Sequence, residues 1–418
     1  MRHANAATIT TNDTVLQPQQ LRVLLIHNRY QQRGGEDTVF EAERDLLRSF
    51  GVTVDTWEIS NDDIPVSRGP QMAAKLALRT IWSKETLRDL GERLDRERPD
   101  VVHLHNTFPL ISPSAYHACR TRGIAVVQTL HNFRLVCPAA TLFRDGQVCE
   151  DCLGRRIAWP GVQHACYRGS HAQSATVAAM LGVHRLRGTW RRDVDVYIAL
   201  SQSARATLVT GGLPAERIIV KPNAVIPDPG TGGDASTRSG LLYSGRLTEE
   251  KGVDTLLDAW RSSAADLPLR IIGGGPLEER VSTFAASAES VTADGAVPYA
   301  TVLSAMRSAR AVLVPSRWQE SFGMVAIEAF ASGTPVIASR IGALAEIVED
   351  GVTGLLVPPG DANALASAAR WAHEHPQELA AMGAEARERY ERFYSAIPAA
   401  QQLLDAYALA RHVASKHH

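Results

Sequence analysis

No stretch of this 418-residue chain approaches the roughly 18 continuous apolar residues of a membrane-spanning helix. Residues 1 to 20, rich in Asn, Thr and Gln, contain no apolar signal core. Neither a secretory signal peptide nor a membrane anchor is expected; the first twenty residues read as a disordered leader and the protein as cytoplasmic. Charge of one sign is missing too. Lys and Arg (44) balance Asp and Glu (45) to a net charge of -1, which argues against a nucleic-acid partner, whose binding protein would show a basic excess. Only five cysteines occur, and in a reducing compartment their spacing points to metal or redox chemistry before disulfides. What is present, 45% apolar and 21% charged residues, has the proportions of a globular protein. Its length exceeds one hydrophobic core and predicts two domains of roughly 200 residues each.

Two series of short β-branched runs alternate with longer helical patterns. Arg22 to His27, Val52 to Trp57, Val101 to His105, Ile124 to Leu130 and Val194 to Leu200 form the first. Leu241 to Ser244, Leu269 to Ile272, Ala311 to Pro315, Pro335 to Ser339 and Leu355 to Val357 form the second. Runs that are apolar throughout suit parallel strands with helices on both faces, so each half reads as a doubly wound α/β sheet. Between them, Pro227 to Gly240 consists largely of Pro, Gly and small polar residues and reads as a linker. The expected organisation is an N-terminal domain over 21–226, a linker over 227–240, a C-terminal domain over 241–392, and a helical segment over 393–418 packing back on the N-terminal domain. Ligands of such sheets bind at the carboxyl ends of the strands, which puts the working cleft between the domains.

The segment Glu320 to Glu328, ESFGMVAIE, follows the strand AVLVP and opens a helix; from Ser321 to Ser339, Glu328 is the only charged side chain. A carboxylate in so apolar a helix is costly to bury without hydrogen bonds, and a diol such as a ribose supplies two donors. Glu320 precedes the helix near Gly323, where backbone amides and the positive end of the helix dipole favour a phosphate. In SGRLTEEKGVDTLLDAW, Arg246 and Lys251 fall in a strand-to-helix loop at the same sheet edge. Together they offer a planar fork and a mobile point charge, a clamp for a diphosphate. The plainer alternatives are surface pairing of these cations with Glu249 and Glu250, and a Glu328 that is solvated or paired with an arginine.

The order and spacing of GRLTEEKG, of the Glu-x7-Glu in ESFGMVAIE, of EAFASGTPVIAS and of GALAEIVEDGVTGLLVPPGD resemble the retaining GT-B glycosyltransferases of family 4, over residues 21 to about 400. The resemblance implies two Rossmann-like domains facing a cleft. It implies transfer of a sugar from a nucleotide-diphosphate sugar of UDP or GDP type to a hydroxyl of a saccharide or lipid-linked acceptor. Anomeric configuration would be retained, and the setting would be polysaccharide or glycoconjugate biosynthesis. Arg246 and Lys251 would then hold the diphosphate beside Gly245, Glu320 would contact donor-sugar hydroxyls, and Glu328 would bind the ribose. Phe322, Gly323, Met324 and Val325 would lie against sugar or phosphate, Gly34 and Gly35 near the diphosphate and acceptor, and His131 near the donor sugar. No cofactor is required for this transfer. A phosphorylase or epimerase of the same fold, or a noncatalytic nucleotide-sugar-binding scaffold, are the alternatives; the intact set of Glu320, Glu328, Arg246 and Lys251 favours catalysis.

Gly273-Gly274-Gly275-Pro276-Leu277-Glu278 looks like a dinucleotide fingerprint whose last glycine is replaced by Glu278, which disfavours NAD and leaves Gly274 as a donor contact. Asp193-Val194-Asp195 opens a strand without a second acidic cluster and reads as structural. His103 and His105, on a buried strand, read as core or loop-orienting residues. Cys137, Cys149, Cys152 and Cys166 occupy an insertion over about 132–170, directly after His131, and include one Cys-x2-Cys hook. They are the candidate ligands of a structural Zn2+, with His164 as a substitute; redox chemistry and unlinked thiols are the alternatives. From Cys152 to Arg192 there are seven arginines and no acidic residue. With Trp159 and Trp190 this stretch suits an anionic membrane surface or a lipid-diphosphate acceptor, or else a packed helix with a solvated basic face.

Overall fold

The apolar runs of each half become parallel strands because the segments between them are long enough to cross back over the sheet as helices. The computed structural model describes residues 20–31, 34–64, 69–233 and 235–416, so the leader expected over residues 1 to 20 lies, Gln20 apart, outside the described residues. The first half contains β1 (Arg22–Arg29), β2 (Thr53–Ser60), β3 (Val101–Asn106), β4 (Ala125–Leu130), β5 (Phe143–Arg144), β6 (Gln147–Val148), β7 (Val196–Ala199) and β8 (Ile218–Val220). Six of these make a parallel sheet in the order β2-β1-β3-β4-β7-β8, while β5 and β6 form a separate antiparallel hairpin. The second half contains β9 (Leu241–Ser244), β10 (Leu269–Ile272), β11 (Val291–Gly295), β12 (Ala311–Val314), β13 (Val336–Ser339) and β14 (Gly354–Val357), in the order β11-β10-β9-β12-β13-β14. The strand order reverses between β9 and β12, the crevice where open α/β sheets take their ligands.

Two edge strands were not legible as apolar runs. Ile218–Val220 has only three residues, and Val291–Gly295, VTADG, is buried mainly at its first residue because nothing pairs with its outer side. The segment 227–240 also differs from a free tether. Its Arg238 is buried and donates to Thr334 Oγ1 and to the carbonyls of Gly333, Ser332 and Thr231, and Asp228 pairs with Arg387 at 2.6 Å. A guanidinium with carbonyl acceptors has taken the place of apolar packing, which composition alone does not reveal.

The helix Pro376–Phe393 packs on the C-terminal domain, against the helix Met324–Ala331, and the chain then returns. In the helix Ala396–Ser415, Leu403, Ala406, Tyr407 and Ala410 are fully buried against Leu21, Val23, Val101, Val127 and Ile198 of the N-terminal sheet. The two crossings between domains are bonded to each other: Val225 N donates to the Tyr394 carbonyl at 3.1 Å, and the Tyr390 hydroxyl to the Val225 carbonyl at 2.9 Å. Among the described residues no helix is long and apolar enough to cross a membrane.

Candidate active site

At the carboxyl end of β9 the chain turns toward the helix Val253–Ser262, and glycines let that turn lie close against its neighbours. Gly252 has φ +74, and a Cβ there would sit 1.8 Å from the carbonyl oxygen of Pro315, just beyond β12. Gly273, with φ +147, would place a Cβ 1.9 Å from the Gly245 carbonyl. The Gly274 carbonyl accepts from Leu247 N at 2.9 Å. Gly274, read from the sequence as a donor contact, thus supports the loop that carries Arg246.

Beyond β12, the segment Ser316 to Gly323 leads into the helix Met324–Ala331, whose N-cap Gly323 has no side chain to satisfy the first amides. Glu320 is buried, and its Oε1 accepts from Lys251 Nζ at 2.9 Å and from Ser316 Oγ at 2.5 Å. The Lys251 ammonium also lies 5.1 Å from the centre of the Trp318 ring. Lys251 therefore pairs across the sheet edge, while Glu249 faces Arg317 at 3.5 Å. Arg246 is exposed at the cavity wall. Glu328, further along the helix, accepts from the Tyr299 hydroxyl at 3.0 Å, and burial pushes its pKa up to about 7.

From the N-terminal domain, β1 leads through Gly34 to the helix Gly35–Ser49. Gly34 N donates to Asp37 Oδ2 at 2.8 Å, and Asp37 Oδ1 bonds His27 Nε2 at 2.8 Å. The space in front of Gly35 is open: a Cβ there would meet nothing within 4 Å. Glu36 accepts from Asn132 Nδ2 at 2.6 Å, and desolvation pushes its pKa up to about 7. Ser321 Oγ donates to the His131 carbonyl at 2.5 Å, tying the two domains together beside the imidazole. The His131 ring bonds His105, and burial holds both imidazoles well below the usual histidine range, hence neutral.

One cavity of about 270 Å³ joins these halves. It brings together Gly35, His131, Gly245, Arg246, Lys251, Glu320, Phe322, Gly323, Met324 and Val325 from the sequence reading, whereas Gly34, Gly274 and Glu328 do not line it. It adds Glu36, Asn223, Ser316 and Trp318, which the sequence reading missed. Only Glu36 carried a signal, as the residue after Gly34-Gly35 at a helix start.

Residues 21–228 match the family described as Glycosyltransferase Family 4, and residues 233–389 that described as Glycosyl transferases group 1. A D-inositol 3-phosphate glycosyltransferase of Catenulispora acidiphila is 30% identical over 70% of this chain and 68% of its own length. The chain belongs to the family 4, group 1 glycosyltransferases. This glycosyltransferase is also 35% identical to a phosphatidyl-myo-inositol mannosyltransferase of Mycobacterium leprae, over 54% of its own chain and 63% of that protein. Its GT-B fold is shared with Anabaena HepE, solved in complex with UDP, at a TM-score of 0.61 and 18% identity over 92% of this chain and 99% of that one. Sucrose-phosphate synthase from Thermosynechococcus elongatus superposes with a TM-score of 0.67 at 20% identity, over 93% and 98% of the two chains.

Other residues singled out in the sequence lie around this site of the glycosyltransferase. Cys137, Cys149, Cys152 and Cys166 are free thiols within electrostatic reach of one another, and burial raises Cys149, Cys166 and, to about 11, Cys152. Among the described residues no three of these sulfurs lie within 4.8 Å of one another, whereas ligand atoms of Glu43, His103 and His105 do. The hairpin in this insertion instead touches the donor-side loop. The Gly146 carbonyl accepts from Arg317 Nη2 at 2.8 Å, and Gln319 Nε2 donates to Glu150 at 3.3 Å. Asp195 is buried and accepts from Val126 N, a structural role. Trp190 is 4% exposed within the core and cannot anchor a membrane, whereas Trp159 is 63% exposed. Arg185 donates to the carbonyls of Arg155 and Gly211, which removes it from the free basic face.

Proposed function

We propose that this glycosyltransferase transfers a sugar from a UDP- or GDP-type donor to a hydroxyl of a saccharide or lipid-linked acceptor, with retention of configuration, in polysaccharide or glycoconjugate biosynthesis. The observation that carries this reading is the convergence of Arg246, Lys251 and the Gly323 helix terminus on one cavity at the reversal of strand order. Departure of a nucleoside diphosphate builds negative charge there, which two cations and unengaged amides stabilise without a metal. Glu320 holds Lys251 in place and keeps Oε2 for sugar hydroxyls, and Glu328 with Tyr299 awaits the ribose. In a front-face transfer the acceptor oxygen bonds the anomeric carbon on the side from which the diphosphate leaves, and the leaving phosphate takes the acceptor proton. No protein base is then needed.

The acceptor would enter from the N-terminal domain. A second cavity of about 320 Å³, walled by Tyr30, Phe108, Tyr167 and Arg168, adjoins the first where Tyr30 comes within electrostatic reach of Glu36, and has the aromatic faces that saccharides stack on. Two relatives are named for inositol-bearing acceptors, and HepE was solved with UDP-glucose, which makes UDP-glucose the first donor to try. A structural Zn2+ in the cysteine insertion and peripheral contact with an anionic membrane on the cytoplasmic side complete the proposal. The deciding experiment is incubation with a panel of UDP- and GDP-sugars, with and without saccharide acceptors, read by mass spectrometry and by NMR of the anomeric linkage. A product of retained configuration is expected; an inverted product, or no donor cleavage by any member of the panel, would overturn it.

A further inference from the structure

Beneath His131 a chain of buried polar groups runs into the N-terminal core. His131 Nε2 lies 3.0 Å from His105 Nδ1 on β3. His105 Nε2 faces Glu43 Oε2 at 3.5 Å, close enough for electrostatic attraction, and neither atom has a hydrogen-bond partner. Glu43 Oε1, on the helix Gly35–Ser49, accepts from Lys221 Nζ at 2.6 Å, just past β8. All three supporting side chains are at most 5% exposed. The ligand atoms of Glu43, His103 and His105 lie close enough for a metal ion. However, the Lys221 ammonium already supplies the positive charge, and both His103 nitrogens are taken, by the Tyr407 hydroxyl at 2.9 Å and Thr129 Oγ1 at 2.8 Å. The cluster is a polar relay, with hydrogen bonds at its two ends and the electrostatic contact of Glu43 with His105 between them.

Its direction follows from which groups can only donate and which can only accept. An ammonium only donates and its carboxylate partner only accepts. A bare His105 Nε2 would set a lone pair against the carboxylate in a buried site, so Nε2 carries the proton and Nδ1 does not. A bare His105 Nδ1 must in turn face a proton on His131 Nε2. We infer that Glu43 and Lys221, acting through His105, hold His131 in the Nε2–H tautomer, so that the ring lining the sugar cavity offers its remaining nitrogen, Nδ1, as a hydrogen-bond acceptor. Glu43, His105 and Lys221 are positioning residues: they touch no substrate, yet they decide that the ligand group against His131 is a hydrogen-bond donor such as a hydroxyl, and not a carboxylate. This consequence for the donor rests on the proposed function; the tautomer does not.

The relay can be reversed by one atom. In Glu43→Gln the amide oxygen must face the donor-only Lys221, which turns the amide NH2 toward His105 Nε2. His105 then carries its proton on Nδ1, and His131 on its own Nδ1, presenting a donor to the cavity. The test is 15N-histidine NMR of the full chain, with the His131 signals assigned by loss in His131→Gln. Wild type should show protonated Nε2 and bare Nδ1 at His131, and Glu43→Gln the inverse. Turnover of the best donor in the panel should fall about tenfold, the order of one lost hydrogen bond. Should the uncompensated Lys221 unfold Glu43→Gln, His105→Phe keeps the ring volume and should leave His131 as a mixture of tautomers. A protonated Nδ1 in the wild type, or an unchanged tautomer in either folded variant, overturns the inference. The stated tautomers in a protein that cleaves no nucleotide sugar would uphold it while discarding the proposed function.

Discussion

The ammonium of Lys251 and the carboxylate of Glu320 meet at 2.9 Å across the gap between β9 and β12, neighbours in the sheet that are not consecutive in the chain. The pair stands where a leaving diphosphate would gather charge, and it sets the lysine's position before any ligand arrives. Lys251→Ala and Arg246→Ala should each weaken donor binding roughly 10- to 100-fold, the scale of a charge-assisted hydrogen bond. Arg246→Lys should stay impaired because a point charge does not replace a planar fork. Glu320→Gln should lower turnover more than affinity. Calorimetry with the active donor, alongside steady-state rates, is the measurement; wild-type values in both alanine variants would discard the clamp.

Burial raises Glu328 from its ordinary value of 4.5 to about 7, and the Tyr299 hydroxyl pulls it back down. A ribose diol donates, so it binds the ionised carboxylate, which is the form above that pKa. Donor affinity should therefore rise as the pH increases through about 7 and weaken toward pH 6. Tyr299→Phe should move the midpoint upward. In Glu328→Gln the step at this pH should vanish, along with part of the affinity. A pH series of donor titrations reads all three, and a step that survives in Glu328→Gln would assign it elsewhere.

For the cysteine insertion, protein purified without added metal should contain one Zn2+ per chain, bound by drawing Cys137, Cys149, Cys152 and Cys166 closer together. Elemental analysis combined with thiol titration decides it: no zinc and four thiols titrating freely in the folded protein would remove the metal. Cys149→Ser should loosen the hairpin and its contacts to Arg317 and Gln319, while donor binding by the C-terminal sheet largely survives.

If the protein meets an anionic membrane as proposed, the exposed Trp159, close in sequence to the exposed Arg155 and Arg156, should be the point of contact, since Trp190 is buried. Each basic residue near an anionic surface contributes about 1 kcal/mol. Cosedimentation with anionic vesicles should thus fall with added salt, and should drop about tenfold or more when Trp159→Ala is combined with Arg155→Gln and Arg156→Gln. Equal sedimentation of the triple variant, or none at low salt, would leave a soluble acceptor as the better reading.

The chain's local patterns were enough to determine two parallel sheets, because a run apolar on both faces can be satisfied only by helices on both sides. They also determined which loops carry Arg246, Lys251 and Glu320, since a loop's place at the carboxyl end of a strand depends only on the order of elements along the chain. Partnership needed the tertiary structure. Lys251 could choose among Glu249, Glu250 and a carboxylate 69 residues away, and only the placement of β12 beside β9 selects Glu320. Glu43 and Lys221 stand 178 residues apart on elements with no motif in common, so nothing local announces the relay beneath His131. Trp190 and Trp159 look alike in the sequence, and only packing separates them: Trp190 is buried against Tyr116 and His184, whereas Trp159 is exposed. Spacing along a chain determines what can lie on one edge or face, whereas pairing energies depend on distances that only the packed core sets.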